Sequence, residues 1–300
     1  MLTIQLPKRK LELPESWEEL RPDHVPVVFR YLMQLFSNEI TPLECQFKLM
    51  VLFTGYRPTR RLSLLSLIRK IISKNEKYID FVNDENETIE IIEFNLIQLS
   101  EKINFAFTVE ANKIVPNYEF KRNPFGVDAP VYFNRDVTVE TNITAKQYTD
   151  CLDLLSAFHA STDAHVHEVC LLKIMSTLYQ IEDSEARKYP IEVLFGVMFW
   201  FTGIVKFFRE HSVYGILYDR KSNADEDITK INLGMGEVLL YLEKEGYSFM
   251  DQKNIIDFYN AQIKALKDSV NSALSMEVKI EDIAKRTGLS INTINRLSNE

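Results

Sequence analysis

The chain has 300 residues, with 46% hydrophobic and 26% charged positions, so it has ample material for a buried core. A net charge of −8 excludes a general nucleic-acid coat, which needs a basic surface to displace counterions. Gly and Pro together number 19, too few for a loop-rich β-sandwich. Cys45, Cys151 and Cys170 are odd in number and far apart, which excludes a disulfide framework or a zinc ribbon and fits a reducing compartment.

Met1 to Leu13 is too polar for a signal peptide, since Lys8, Arg9 and Lys10 follow only a few apolar residues. Ser16-Trp17-Glu18-Glu19 has the spacing of a capping box and predicts the first helix start. Val25, Phe29, Leu32 and Phe36 then recur at helical spacing. Thr41-Pro42-Leu43-Glu44 opens a second helix running through Phe47, Met50 and Leu52 to Gly55. A further apolar segment covers Leu62 to Ile72. Arg57, Arg60, Arg61, Arg69, Lys70, Lys74 and Lys77 form a basic run. The acid-rich stretch Asp84 to Glu93 follows at once, so the two are expected to complement each other.

Residues 104–140 change character. Phe105 to Val109, Val131 to Phe133 and Val137 to Val139 are β-type runs separated by Pro116, Pro124, Gly126 and Pro130. Thr144-Ala-Lys-Gln147 restarts the helical pattern, with helices expected at 145–160, 164–181, 190–210, 231–246 and 252–276. An acidic loop, Asp219 to Asp227, separates the third of these from the fourth. Val193 to Val205 is thirteen uncharged residues, short of the roughly 20 a bilayer span needs, and predicts a buried helix. Leu20–Arg57 and Ile143–Gln180 also share a pattern of two helices with a Lys-apolar-Met element in the second, aligned only if the second copy gains two residues, so chance likeness of helical hairpins is the preferred reading and duplication the alternative. The expected fold is therefore mainly α: a helical domain at 1–103, a small β-hairpin region at 104–140, a second helical domain at 141–276 and a C-terminal unit at 277–300.

Little in this chain has the spacing of catalytic chemistry. His159, His165 and His167 cluster near Glu168 and Cys170, but His165 and His167 point to different sides of a helix and no second cluster completes a ligand set. Gly-x-Ser-x-Gly, Walker-type and His-Glu-x-x-His patterns do not occur. Leu233-Gly-Met-Gly-Glu237 reads as a helix start. No enzyme activity, cofactor or metal is expected.

The C-terminal segment Ile280-Glu-Asp-Ile-Ala-Lys-Arg-Thr-Gly-Leu-Ser-Ile-Asn-Thr-Ile-Asn-Arg-Leu297 resembles the helix-turn-helix of bacterial and phage regulators. Ala284 is small where two helices cross, Gly288 suits a left-handed turn, and Ser290 suits an N-cap. Ile283, Leu289, Ile294 and Leu297 form the inward set. The resemblance implies that the second helix reads bases. If it does so here, the contacts fall to Asn292, Thr293, Asn295 and Arg296, with Lys285 and Arg286 on phosphate. The acidity of the chain favours a protein-docking module instead.

Leu13-Pro-Glu-Ser-Trp-Glu-Glu-Leu20, Phe207-Phe-Arg-Glu210 through Tyr214-Gly-Ile-Leu217, and Glu237-Val-Leu-Leu-Tyr-Leu242 are similar to helical proteins of phage and prophage tail modules in Bacteroides-type bacteria. The resemblance implies a non-enzymatic virion or tail-assembly protein, in the host cytoplasm or the virion. It would act on other phage proteins or on itself, without a membrane. The alternative is a DNA-binding regulator that uses the C-terminal unit.

Overall fold

The computed structural model describes residues 1–6, 9–58, 78–86, 88–92, 98–111, 113–118, 131–133, 139–218 and 252–299. The fold is mainly helical. Its strands form small antiparallel sheets of two or three strands each among these residues. The chain divides into two compact units: Met1–Val127 with Pro190–Gly196, and Asp128–Tyr189 with Val197–Glu300.

The first unit opens on an antiparallel pair, β1 (Leu2–Leu6) with β2 (Arg9–Leu13), in register from Leu2 opposite Leu13 to Leu6 opposite Arg9. Strand was expected chiefly within 104–140, so this pair is a correction. Alternating Leu2, Ile4, Leu6 and Leu11, Leu13 around Pro7 carry its period of two. A single 3-10 turn, Trp17–Glu19, replaces the expected helix start at Ser16. Ser16 makes no side-chain cap there, and the Glu19 carboxylate instead accepts from the Glu15 amide at 2.8 Å.

Helix α1 (Val25–Phe36) buries Val25, Val28, Phe29, Leu32 and Leu35 along one stripe. Helix α2 (Pro42–Thr54) begins on a complete capping box. The Thr41 hydroxyl accepts from the Glu44 amide at 3.3 Å, and the Glu44 carboxylate accepts from the Thr41 amide at 2.8 Å. It ends on Gly55, whose φ of 70° supplies the left-handed C-terminal residue. Trp17 is the centre of this core: its ring stacks on Phe29 at 5.4 Å and meets Phe105 edge-on at 5.3 Å. The indole N–H donates to the Asn117 carbonyl at 3.0 Å, so burial leaves it satisfied.

Strands β3 (Arg57–Pro58), β4 (Tyr78–Val82) and β5 (Thr88–Ile92) form the three-stranded sheet, a second departure from the expected strand positions. Arg57 pairs with Asp84, one ion pair between the basic run and the acid-rich stretch. Arg60, Arg61, Arg69, Lys70, Lys74, Lys77 and the Leu62 to Ile72 segment lie outside the described residues. The expected β-type runs appear as β6 (Phe107–Glu110) with β7 (Lys113–Pro116), and β8 (Val131–Phe133) with β9 (Val139–Thr141).

In the second unit α3 (Ala145–Ala160) and α4 (Ala164–Tyr179) form a helical hairpin, with a second full capping box between Thr144 and Gln147. The Gln147 side chain also donates to the Thr177 carbonyl at 2.9 Å and so ties the two helices. In this pair the box opens the first helix, whereas in α1–α2 it opens the second. The two hairpins therefore share burial of their apolar-Met elements, Leu49-Met50 and Ile174-Met175, but not their capping. A short helix, α5 (Asp183–Ala186), precedes α6 (Ile191–Lys206).

Helix α6 buries Phe195, Phe199, Trp200 and Phe201, as its uncharged run predicts. The helical segment Ile191–Glu210 is 20 residues of mean hydropathy 1.8, long and apolar enough to cross a membrane, and 72% of that window is buried inside the protein. Phe195 packs on Phe29 and Phe36 in the first unit. Phe201 and Phe208 pack edge-on against Tyr148 in the second, and Tyr259 joins them. Helix α7 (Ile255–Ser275) is capped by Asn254 and carries that Tyr259. The expected helix at 231–246, Leu233 to Glu237 and the acidic loop Asp219 to Asp227 lie outside the described residues.

Candidate functional site

The C-terminal site begins where α7 stops. Glu277, at φ 58°, turns the chain, and α8 (Ile280–Thr287) and α9 (Ile291–Asn299) follow. Gly288 takes φ 73°, as the turn requires, and its amide donates to the Ala284 carbonyl at 2.9 Å. Ile283, Leu289, Ile294 and Leu297 are buried together with Val270 of α7, and Ala284 packs against them. Ser290 caps α9, its hydroxyl accepting from the Thr293 amide at 3.1 Å. The expected pair of helices, its turn and its inward set are all present.

Five of the six candidate contact residues are exposed: Lys285 and Arg286 on α8, and Asn292, Asn295 and Arg296 on α9. Thr293 is a correction, because it is only 7% exposed and its hydroxyl lies 2.8 Å from that of Ser290. It stands one helical turn before Leu297, on the stripe that faces the core, so it belongs to the cap and not to the exposed face. The solvent face of α9 is then Ile291, at 46% exposure, with Asn292, Asn295 and Ser298.

Sequence reasoning missed the wall beside this helix. After α6 the chain makes one π-helical turn, Phe207–His211, and one 3-10 turn, Val213–Leu217. Ile216 of that turn packs against the α8–α9 cluster. A groove of about 900 Å³ opens between the two, lined by Arg209, Glu210, Val213, Ile216, Asn292 and Arg296 among others. A second hollow of about 350 Å³ lies at the α8–α9 turn, around Gly288, Ile291 and Lys285.

The wall is held from behind. Tyr214 stacks on Tyr259 at 5.1 Å and donates to the Asn260 side chain at 3.0 Å. Tyr218 meets the Tyr259 hydroxyl directly. Burial pushes the Tyr259 and Tyr214 hydroxyls above the ordinary tyrosine range, so both stay protonated and can donate. Gly215 is the sequence signal that marks this turn: a Cβ there would stand 2.6 Å from the Arg209 carbonyl oxygen.

No family model, no curated protein and no solved structure matches this chain.

The histidine cluster serves packing. His167 Nε2 lies 2.7 Å from the Ser161 carbonyl, which can only accept, so this nitrogen carries the proton. Its ring rests on Phe158 at 4.3 Å. Among the described residues no three His, Cys, Asp or Glu side chains converge on a metal position.

Proposed function

We propose that the chain is a non-enzymatic phage structural or tail-assembly protein that works through helical protein–protein surfaces, with α8 and α9 as its docking element. The solvent face of α9 carries the docking reading: exposed Ile291 opens the helix, neutral Asn292 and Asn295 follow it, and Arg296 lines the groove. A base-reading helix needs polar groups at the centre of its exposed face and cations around it. An exposed isoleucine at the start of that face serves a protein partner better. The assembly role rests on the likeness of Leu13–Leu20 and Phe207–Leu217 to tail-module proteins.

The test is Ile291→Asp in the full chain, with self-association followed by sedimentation velocity and binding to the products of adjacent genes by co-purification. Association should disappear while the circular dichroism spectrum and melting temperature stay unchanged. Unaltered association would overturn the reading.

A DNA-binding regulator is the second reading, favoured by Lys285 and Arg286 standing exposed beside the Ser290-capped start of α9. It requires salt-sensitive, sequence-specific retention of DNA. It also requires Arg296→Ala to weaken a specific site by roughly 1–3 kcal/mol.

A further inference from the structure

The geometry points to a partner of definite chemistry: the groove between residues 209–218 and α9 takes an acidic peptide segment of a partner protein, whose carboxylates meet Arg209 and Arg296 and whose apolar side chain covers Val213 and Ile216. The inference rests on the docking reading above and deepens it, since it names what the C-terminal element recognises.

Charge is the first ground. Arg209, Arg296 and Glu210 line the groove. Glu210 is offset by Lys206 one turn earlier, at 3.7 Å. Among the described residues that line the groove, Arg209 and Arg296 outnumber the single carboxylate, Glu210, on a chain whose net charge is −8. Arg209 is exposed and makes no ion pair among the described residues. A cationic concavity in an acidic molecule selects an anionic partner and steers it in, and guanidinium groups match carboxylates in a two-point geometry.

The groove floor supplies the second ground. Val213 is 64% exposed, and half-buried Ile216 continues its apolar surface inward. The hydroxyls nearby are already committed: Ser212 donates to the Phe208 carbonyl at 2.6 Å, and Ser290 caps α9. Recognition therefore falls to the guanidinium groups and the apolar floor. The walls are preformed by the Tyr214–Tyr259 stack and by Ile216 in the C-terminal cluster, which lowers the ordering cost of binding. A DNA backbone brings phosphates but no apolar group for Val213. An acidic segment with an aliphatic residue satisfies both parts of the groove.

The test uses the full chain and fluorescence anisotropy of a labelled peptide of alternating glutamate and leucine. Its lysine-for-glutamate counterpart and a DNA duplex are the comparisons. The acidic peptide should bind, the lysine peptide should not, and rising salt should weaken the complex. Arg209→Glu with Arg296→Glu should weaken it about tenfold or more. Arg209→Glu alone, on an exposed turn that leaves the α8–α9 core untouched, should weaken it in the same direction with an unchanged melting temperature. Absence of acidic-peptide binding, equal binding of the two peptides, full affinity in the Arg209 variant, or displacement by the DNA duplex would each overturn the inference. Association that is lost in Ile291→Asp but indifferent to Arg209→Glu sinks this inference alone. Association indifferent to Ile291→Asp sinks the docking reading beneath it.

Discussion

Thr41 and Thr144 cap their helices through the same reciprocal pair of hydrogen bonds, but their partners at the third helical position differ in one respect: Glu44 titrates and Gln147 does not. The backbone amide and hydroxyl of Thr41 both donate to the Glu44 carboxylate, which holds its pKa below the ordinary glutamate value. A lowered folded-state pKa means that this contribution is present above the unfolded value and is lost as pH falls through the folded one. Acid should therefore weaken the α2 cap and leave the α3 cap unaffected. Glu44→Gln should flatten the acid side of the stability curve, as measured by urea denaturation between about pH 3 and 6. Thr144→Ala should cost about 1 kcal/mol at every pH in that range. Both boxes were legible in the sequence, because a cap is a contact between neighbours. The same pattern misled at Ser16: the segment runs only one 3-10 turn before Leu20 returns to extended backbone, so there was no helix long enough to cap.

Elements whose burial follows one period were legible for the same reason. The stripe of α1, the uncharged run of α6 and the inward set of α8 and α9 all stand where their spacing predicts. Phe199, in the middle of α6, is only 2% exposed, and Phe199→Ala should cost on the order of 3–5 kcal/mol in chemical denaturation. The groove was illegible because its walls, residues 209–218 and α9, are far apart in the chain and no local period joins them. The β1–β2 pair was written in a period of two, but over strands too short and too charged to stand out. Gly215 offers a direct test of how the wall supports α9. At Gly55, with φ 70° and open space around it, an added Cβ brings backbone strain alone, so Gly55→Ala should cost about 1–2 kcal/mol. At Gly215 the added Cβ collides with the Arg209 carbonyl. Gly215→Ala should displace the turn that carries Ile216, and hydrogen exchange should quicken across 280–299 while the Gly55 variant leaves that region unchanged.

For the molecule as a whole, the two units offer separate internal reporters. Cys45 lies in the first, and Cys151 and Cys170 in the second, all three buried as free thiols. Burial pushes the Cys45 thiol up to about 12 and raises those of Cys151 and Cys170 as well. Only the thiolate attacks a disulfide reagent, so a raised pKa and a closed surface act in the same direction. The folded protein should therefore react slowly with Ellman's reagent throughout about pH 7 to 9, because the thiolate fraction stays small over a range in which an ordinary exposed thiol becomes largely ionised. In guanidinium chloride all three should react at once, since each then titrates near its ordinary value. Mapping the labelled peptides by mass spectrometry assigns each rate to its own unit. Phe199→Ala, which removes a ring from the second unit's share of α6, should speed labelling at Cys151 and Cys170. Labelling of the native protein at Cys45 or Cys151 as fast as in guanidinium chloride would contradict the buried positions assigned to them.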